Sequence, residues 1–500
     1  MAIELSSITT FTDQANIVPS GVEEIRNDGI VNTLAGDDTI TGITTSLGTV
    51  GFGISGIYNL GTLNTSEGND IITGMGQASN YSSGIFNSRA INTGDGNDTI
   101  TGSGFFGIIN YFTIATGNGN DLITGNGDGG GIGIYSLGNI NSGGGDDTIT
   151  GTNTSGGGYG IFNGLGNPRD STTISTIDTG DGNDTITGIS TSLDTVGFGI
   201  SGIYNLGTLN TSEGNDLITG IAQESDSGSG IFNSTGTIDT SDGNDTITGS
   251  GFSGLINYFT IATGNGNDLI SGNGDGGGTG IYSLGNINSG GGDDTITGTN
   301  TSGGGYGIFN SLGNKEGSTT ITTIDTGDGD DIISGIAAFG IFNTGIINTG
   351  SGADSIICDA SLNDGTGYGF YNTNTINTGD GNDTITEISG RSIFNLGIIN
   401  TGNNADSIIA EGGFEGIGSI FLGNGKDYLK GFGRGNFNGE NGKDTLELTS
   451  GSYTVGRSGT AVNFIKNSII MNTSEFEKLI AGSTIYDFSS LRDGQIISVA

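Results

Sequence analysis

One short phrase, Thr-Gly-Asp-Gly-Asn-Asp-Thr-Ile-Thr-Gly, runs from Thr93 to Gly102 and returns almost unchanged from Thr179 and from Thr378. Degenerate copies fill the sequence between. Indexed by the Asp before the x-Ile or x-Leu pair, the copies fall at Asp38, Asp70, Asp98, Asp121, Asp147, Asp184, Asp216, Asp245, Asp268, Asp294, Asp331, Asp354, Asp383, Asp406, Asp427 and Asp444, about 16 in all. Self-similarity on this scale restricts a chain to solenoids, propellers and arrays, because each unit must bury its apolar face against its neighbours. Successive Asp residues lie 32, 28, 23, 26 and 37 residues apart, then 32, 29, 23, 26 and 37, then 23, 29, 23, 21 and 17. The first two sets form a tandem duplication of about 147 residues, and 23 is the minimal full unit.

A clean unit reads Gly84-Ile85-Phe86-Asn87, then Ile91-Asn92-Thr93, then the phrase itself. Three short apolar segments are thus separated by Gly, Asn and Asp, the pattern of strands and turns. Gly at 103 of 500 positions argues against helices, since each costs a helix about 1 kcal/mol. The aromatic residue sits 12 positions before its Asp in most units, as in Tyr58 and Asp70, Phe86 and Asp98, Tyr135 and Asp147, Tyr204 and Asp216, Phe342 and Asp354, and Phe394 and Asp406. Extra residues are expected mostly after the Asp-x-Ile-x-Gly strand, as at Ile43 to Gly53 and Ile189 to Gly199, as loops at one corner. The fold expected is all-β: a right-handed parallel β-helix, or β-solenoid, with a small β-rich C-terminal cap. Residues 1–20 would be an N-terminal cap, 21–445 the solenoid of about 16 coils, and 446–500 the C-terminal cap. Ile3, Leu5 and Ile8 alternate as a capping strand or belong to a frayed end. Glu475 to Ile480 is a last strand or a helical turn.

The formal charge is −40, and it is unevenly placed. Only Arg26, Arg89, Arg169, Lys315 and Arg391 precede residue 426, and the other eight of the 13 Lys and Arg lie in the last 75 residues, from Lys426 on. An acidic repeat surface repels phosphate backbones, so nucleic acid is excluded as a partner, while cations are attracted. One Cys and no His remove disulfides within the chain, thiolate clusters and His-ligated zinc. No apolar run reaches the length of a membrane span, and Met1 to Ser20 lacks the charged and apolar regions of a cleaved secretory signal.

Stacking aligns the Asp carboxylates about 5 Å apart, where two charges repel by about 0.8 kcal/mol even in bulk water. Such a ladder needs protons or cations. Carboxylates and turn carbonyls suit a hard, oxygen-seeking ion, and Ca2+ fits better than the strictly octahedral Mg2+. Thr93 to Thr101 and Ser142 to Thr150 resemble the nonapeptide Gly-Gly-x-Gly-x-Asp-x-(large apolar)-x of RTX, or haemolysin-type, calcium-binding repeat proteins, with Thr or Ser in place of the first Gly. The resemblance implies an RTX-like β-roll variant in which the sixteen Asp residues named above supply the metal ligands. It also implies extracellular or cell-surface location by type I secretion, with an uncleaved C-terminal signal in Phe476 to Ala500. The family runs its nonapeptides back to back, whereas here there is one per coil. Calcium is therefore expected on one edge only, with an Asn ladder filling the Gly-Ile-Phe-Asn corner. The copies at Ser351 to Asp354 and Gly402 to Asp406 are expected to bind less well, having lost the second Gly. The alternative to calcium is an Asp that only caps its own turn as an Asx motif.

No catalytic constellation stands out, so an enzyme is not expected. A metal-independent structural adhesin or matrix solenoid and a carbohydrate-active β-helix enzyme remain as alternatives, with an extracellular polysaccharide as a candidate partner. The recurrent Phe and Tyr, including Phe86, Phe162, Tyr204, Phe309 and Phe394, read as packing under a corner in preference to an exposed platform. Thr-Ile-Thr segments suggest the flat arrays of ice-binding solenoids, but Leu-Ile-Thr and Ser-Ile-Ile units interrupt them, so ordinary β-propensity accounts for them.

Overall fold

The computed structural model describes residues 3–4, 12, 14–18, 24–44, 54–77, 81–166, 174–191, 200–223, 227–302, 304–312, 321–361, 368–459 and 461–500. They form two compact units, Met1–Gly264 and Asn265–Ala500. Each is a parallel β-helix whose coil contains three strands. The first follows the Asp, the second is the Gly-Ile-Phe-Asn segment and the third is the short x-Ile-Asn segment.

Isoleucine dictates the cross-section. In the coil around Asp98 one long strand, Thr99–Asn110, supplies both the first and second positions, and Thr113–Ala115 supplies the third. Ile100, Ile108 and Ile114 point inward and have no solvent exposure. Each stands in register with an Ile of the coil before and the coil after: Ile72 and Ile123, Ile85 and Ile134, Ile91 and Ile140. Three columns of Ile therefore make the core, at the inter-strand spacing of a sheet. First and second strands share one sheet and third strands build the other. The two strands of the shared sheet meet at glycine: a Cβ on Gly102 would lie 2.2 Å from the carbonyl oxygen of Gly107.

The expected Asn ladder is present. Asn27 Nδ2 donates to Asn59 Oδ1 at 2.8 Å, Asn59 to Asn87 at 2.8 Å and Asn87 to Asn110 at 2.9 Å. In the second unit Asn310, Asn343, Asn372 and Asn395 repeat it at 2.8, 2.9 and 2.9 Å.

Three expectations need correction. The two longest units place much of their extra chain elsewhere than after the first strand. It lies between the second strand, Tyr159–Asn163 or Tyr306–Asn310, and the third, Thr176–Asp178 or Thr323–Asp325. Most of these inserts, and most of Ile43 to Gly53 and Ile189 to Gly199, lie outside the described residues. The aromatic rings do not pack under a corner. They stand half-buried on the outer face and stack on one another: Tyr282, Phe309, Phe342, Tyr371 and Phe394 have centroids 4.8, 4.9, 4.6 and 4.9 Å apart and planes within 4°. And the Thr-Ile-Thr interruptions spare one position. In the first unit the second Thr forms an unbroken column from Thr41 through Thr73, Thr101, Thr124, Thr150, Thr187 and Thr219 to Thr248.

Both chain ends continue the coil. Ile3–Glu4 pairs in parallel with Ile25 and Arg26, and Ile17–Val18 with Thr39 and Ile40. Leu5 and Ile8 lie outside the described residues. Beyond Asp444, Met471 to Ser474 and Lys478 to Ala481 pair in parallel with the preceding coil, so the Glu475 to Ile480 stretch ends in a strand. Gly451–Ser458 and Ala461–Lys466 form an antiparallel pair, onto which Ile496–Val499 adds. Among the described residues no helix is long and apolar enough to cross a membrane.

Candidate metal centre: the buried aspartate ladder

The phrase folds as a turn because two of its positions demand glycine. Gly94 has φ 95° and Gly96 φ 146°, conformations that L side chains avoid. Stacking adds a steric demand: a Cβ on Gly117 would lie 1.9 Å from Gly94 O, and one on Gly119 1.8 Å from Gly96 O. The copy ending at Asp354 retains both glycines, Gly350 at φ 96° and Gly352 at φ 142°, contrary to the sequence expectation. In the copy ending at Asp406 the second glycine is replaced by Asn404, at φ 85°.

All sixteen Asp residues are buried. Each described link has the same form: the backbone N–H of one Asp donates to Oδ1 of the next. In the first unit Asp38 donates to Asp70, Asp70 to Asp98, Asp98 to Asp121 and Asp121 to Asp147, all at 2.7 Å, and Asp147, Asp184 and Asp216 continue to Asp245 at 2.8 Å. In the second unit Asp268, Asp294, Asp331, Asp354, Asp383, Asp406, Asp427 and Asp444 are joined likewise, over 2.8 to 3.0 Å. The carboxylate therefore ties its own coil to the neighbouring one. At Asp38 it also meets its own turn, where the Thr33 hydroxyl donates to Oδ2.

Two residues outside the phrase finish the ladders. Asn16 donates its N–H to Asp38 Oδ1 at 2.6 Å, and Asp444 donates to Oε2 of Glu477 at 2.7 Å. Sequence reading misses both because neither sits in a recognisable copy. It also misses the Thr or Ser five residues before the Asp. Thr65, Thr93, Thr116 and Ser142 are completely buried, and the hydroxyls of Thr65, Thr93 and Thr116 point to the carbonyl of the next coil at 3.3, 3.3 and 3.2 Å. A buried hydroxyl at every early copy, where the RTX pattern has Gly, was the available signal.

The second carboxylate oxygen is left over. Oδ2 of Asp70, Asp98, Asp121, Asp147, Asp184, Asp216, Asp294, Asp331, Asp354, Asp383 and Asp406 is buried and accepts no hydrogen bond. Burial raises the carboxyl pKa and outweighs the lowering by the neighbouring Asp N–H and by the Thr or Ser hydroxyl of the same turn. Desolvation raises Asp98, Asp184, Asp216, Asp294 and Asp354 to about 6, and Asp147, Asp331 and Asp406 to about 7. Neighbouring carboxylates add to the rise for Asp147 and Asp331. Burial also raises Asp70, Asp121 and Asp383.

A second, exposed ladder runs beside the first in the opposite sense. In most coils the residue before the Asp offers Oδ1 to the following coil, Asp37 to the N–H of Asn69 at 2.8 Å, Asn69 to Asn97 at 2.8 Å and Asn97 to Asn120 at 2.7 Å, whereas Ala353 and Ala405 only donate their N–H, to Asp330 and Asn382. In the last two coils Lys426 and Lys443 hold this position.

Among the described residues no group of three acidic, Cys or His side chains converges on one point. A cation here would have one carboxylate per coil, with turn carbonyls as the remaining donors. Some of those carbonyls already accept a hydrogen bond, as Gly327 does from Ser351 and Gly350 from Asp380, both at 3.0 Å, which leaves each a second lone pair. This all-oxygen set, with a buried anionic oxygen in need of a partner, fits a hard divalent cation.

No protein-family profile matches the chain, and no curated protein does. Among solved structures, the crystal structure of a hyperactive, Ca2+-dependent, β-helical antifreeze protein from an Antarctic bacterium aligns with 97% of this chain and 93% of its own, at 15% identity and a TM-score of 0.28. So low a score carries no weight for function.

Proposed function

We propose that this chain is a non-enzymatic, calcium-binding structural solenoid of the cell surface or extracellular space, in which Ca2+ along the Asp edge completes folding. The observation that carries the reading is the buried Oδ2 without a hydrogen bond, repeated coil after coil. Each Asp of the ladder would hold its neighbour's backbone through Oδ1, and those whose Oδ2 accepts no hydrogen bond would offer it to the ion. Calcium would supply the positive charge that a stack of buried carboxylates lacks.

Linkage gives this arrangement a use. An ion that binds only the folded chain stabilises it, by about 2.7 kcal/mol per site at a free concentration 100 times Kd. At low intracellular Ca2+ the acidic chain would remain loose, and at millimolar Ca2+ outside it would fold. Residues 1–20 and 446–500 would then cap the two ends, the latter also carrying the export signal. A polysaccharide partner gains no support from the stacked aromatics, whose ring faces cover one another.

The test is thermal melting of the full chain in chelator and in millimolar Ca2+ at fixed ionic strength, with calorimetric stoichiometry. A rise in melting temperature with Ca2+, larger than with Mg2+, is expected. Identical melting in chelator and Ca2+ would leave the metal-independent structural solenoid as the reading.

A further inference from the structure

We propose that the outer face of the first strands in the Met1–Gly264 unit is a self-association surface, and that what covers it is the same face of a second copy of this chain. Association through this face requires no calcium.

The face is uncharged in a chain of net charge −40. Its eight rows begin at Thr39–Thr44 and Ile71–Gly76 and end at Leu217–Ala222 and Thr246–Gly251. None of the six leading residues of any row is Asp, Glu, Lys or Arg. The other faces of the unit differ. The turn edge presents Asp95, Asp181, Glu213 and Asp242, and the third strands present Asp178 and Asp239. Two copies meeting there would confront like charges or bury them, at a cost of several kcal/mol. The first-strand face, unlike those two, lets two such acidic chains touch without doing so.

It is also regular and partly apolar. The unbroken Thr column is flanked by exposed side chains, Ile71 at 44%, Leu122 and Leu217 at 38% and Met75 at 36%. Thr and large aliphatic residues are interspersed along that flank, giving shallow relief into which a copy rotated by a two-fold axis can fit, as closed dimers require. Eight rows at about 4.8 Å, each about 20 Å long, cover about 750 Å2 per copy. Two copies would bury about 1,500 Å2, within the range of stable specific interfaces.

Sedimentation velocity of the full chain across a concentration series tests this, in Ca2+ and in chelator. A concentration-dependent dimer is expected. The variant Thr124→Lys/Thr150→Lys sets four ammonium groups at the centre of the interface and should weaken the dimer at least about 100-fold, given the cost of juxtaposed like charges. Thr113→Lys, on the third-strand face, should leave it unchanged. Because the lysine variant could instead misfold, it is mixed with Thr124→Glu/Thr150→Glu, and a heterodimer should form from two species that are each monomeric alone. A wild-type chain that stays monomeric throughout overturns the proposal. So does a dimer unaffected by Thr124→Lys/Thr150→Lys, or one lost equally in Thr113→Lys.

Discussion

Each coil buries two polar ladders, and they solve the same problem differently. At the corner after the second strand, Asn343 accepts from Asn310 and donates to Asn372, with further bonds from Nδ2 to the carbonyls of Gly345 and Thr375. An amide carries both a donor and an acceptor, so a column of amides satisfies itself and stays neutral. At the turn edge Asp331 accepts the Asp294 N–H through Oδ1 at 2.8 Å and can donate nothing while ionised. One oxygen and one charge are left over at each step. The difference teaches where this fold depends on its surroundings: the Asn ladder is complete within the protein, and the Asp ladder is completed only by a proton or a cation.

Breaking the self-sufficient ladder should have the largest effect. Asn343→Ala removes an acceptor and strands several buried partners, each worth about 1–3 kcal/mol. A loss of about 3 kcal/mol is expected in chemical denaturation. It should be the same in Ca2+ and in chelator and flat with pH, since no charge is involved. A loss that Ca2+ rescues would mean that the two ladders are coupled.

Neutralising the other ladder should act with the opposite sign. Asp331→Asn keeps the Oδ1 acceptor and removes a carboxyl whose pKa burial lifts to about 7. At pH 8 the metal-free variant should be more stable than the parent by about 1 kcal/mol, a figure kept well below the full shift because the carboxylate lies near the turn surface. Its gain from Ca2+ should shrink. The parent itself should show the corresponding pH profile. Asp147, Asp331 and Asp406 hold protons to about 7 in the folded chain against an ordinary 3.8. The folded state therefore binds more protons than the unfolded state between these values, and stability falls as pH rises from about 4 to 7. Melting in chelator should decline over that window, and saturating Ca2+ should remove the decline. A metal-free chain that gains stability from pH 4 to 7 would contradict the burial of these carboxylates.

Much of this was legible in the sequence, for physical reasons that particular residues show. Ile85, Ile91 and Ile100 recur at fixed offsets from the Asp, and only stacked strands convert a fixed offset into a column. The Asn ladder followed from the recurrent place of Asn after the aromatic, which Ser136 and Ser283 take in two coils. The direction of Phe309 was not legible, because alternation in so short a strand depends on where it bends. The insert after Asn163 was missed because spacing between Asp residues gives the length of a coil and not the corner at which it grows. The burial of Oδ2 was invisible as well. The phrase shows an Asp at a turn, but which oxygen meets a neighbouring coil depends on stacking geometry. Glu477 escaped notice for the same reason, since it occupies the ladder with none of the flanking glycines.

The smallest effect concerns the backbone beneath the two ladders. The Asp turn needs positive φ at its second and fourth positions, whereas the glycines after the Asn ladder, such as Gly207 and Gly236, are absent from that region. At the second position some copies lack Gly: Ser212 has φ 60°, Ser241 φ 60° and Ser66 φ 74°. A residue with a Cβ pays about 1–2 kcal/mol for that conformation. Ser212→Gly relieves it but adds about 0.5–1 kcal/mol of chain entropy to the unfolded state. It also removes the hydroxyl that accepts Asn210 Nδ2 at 3.1 Å, on the partly exposed side of the turn. The balance favours glycine by less than about 1 kcal/mol, so a small rise in melting temperature is expected. Destabilisation by Ser212→Gly would show that the hydroxyl's bond to Asn210 outweighs the strain, and that this copy of the turn is shaped by its side chains more than by its glycines.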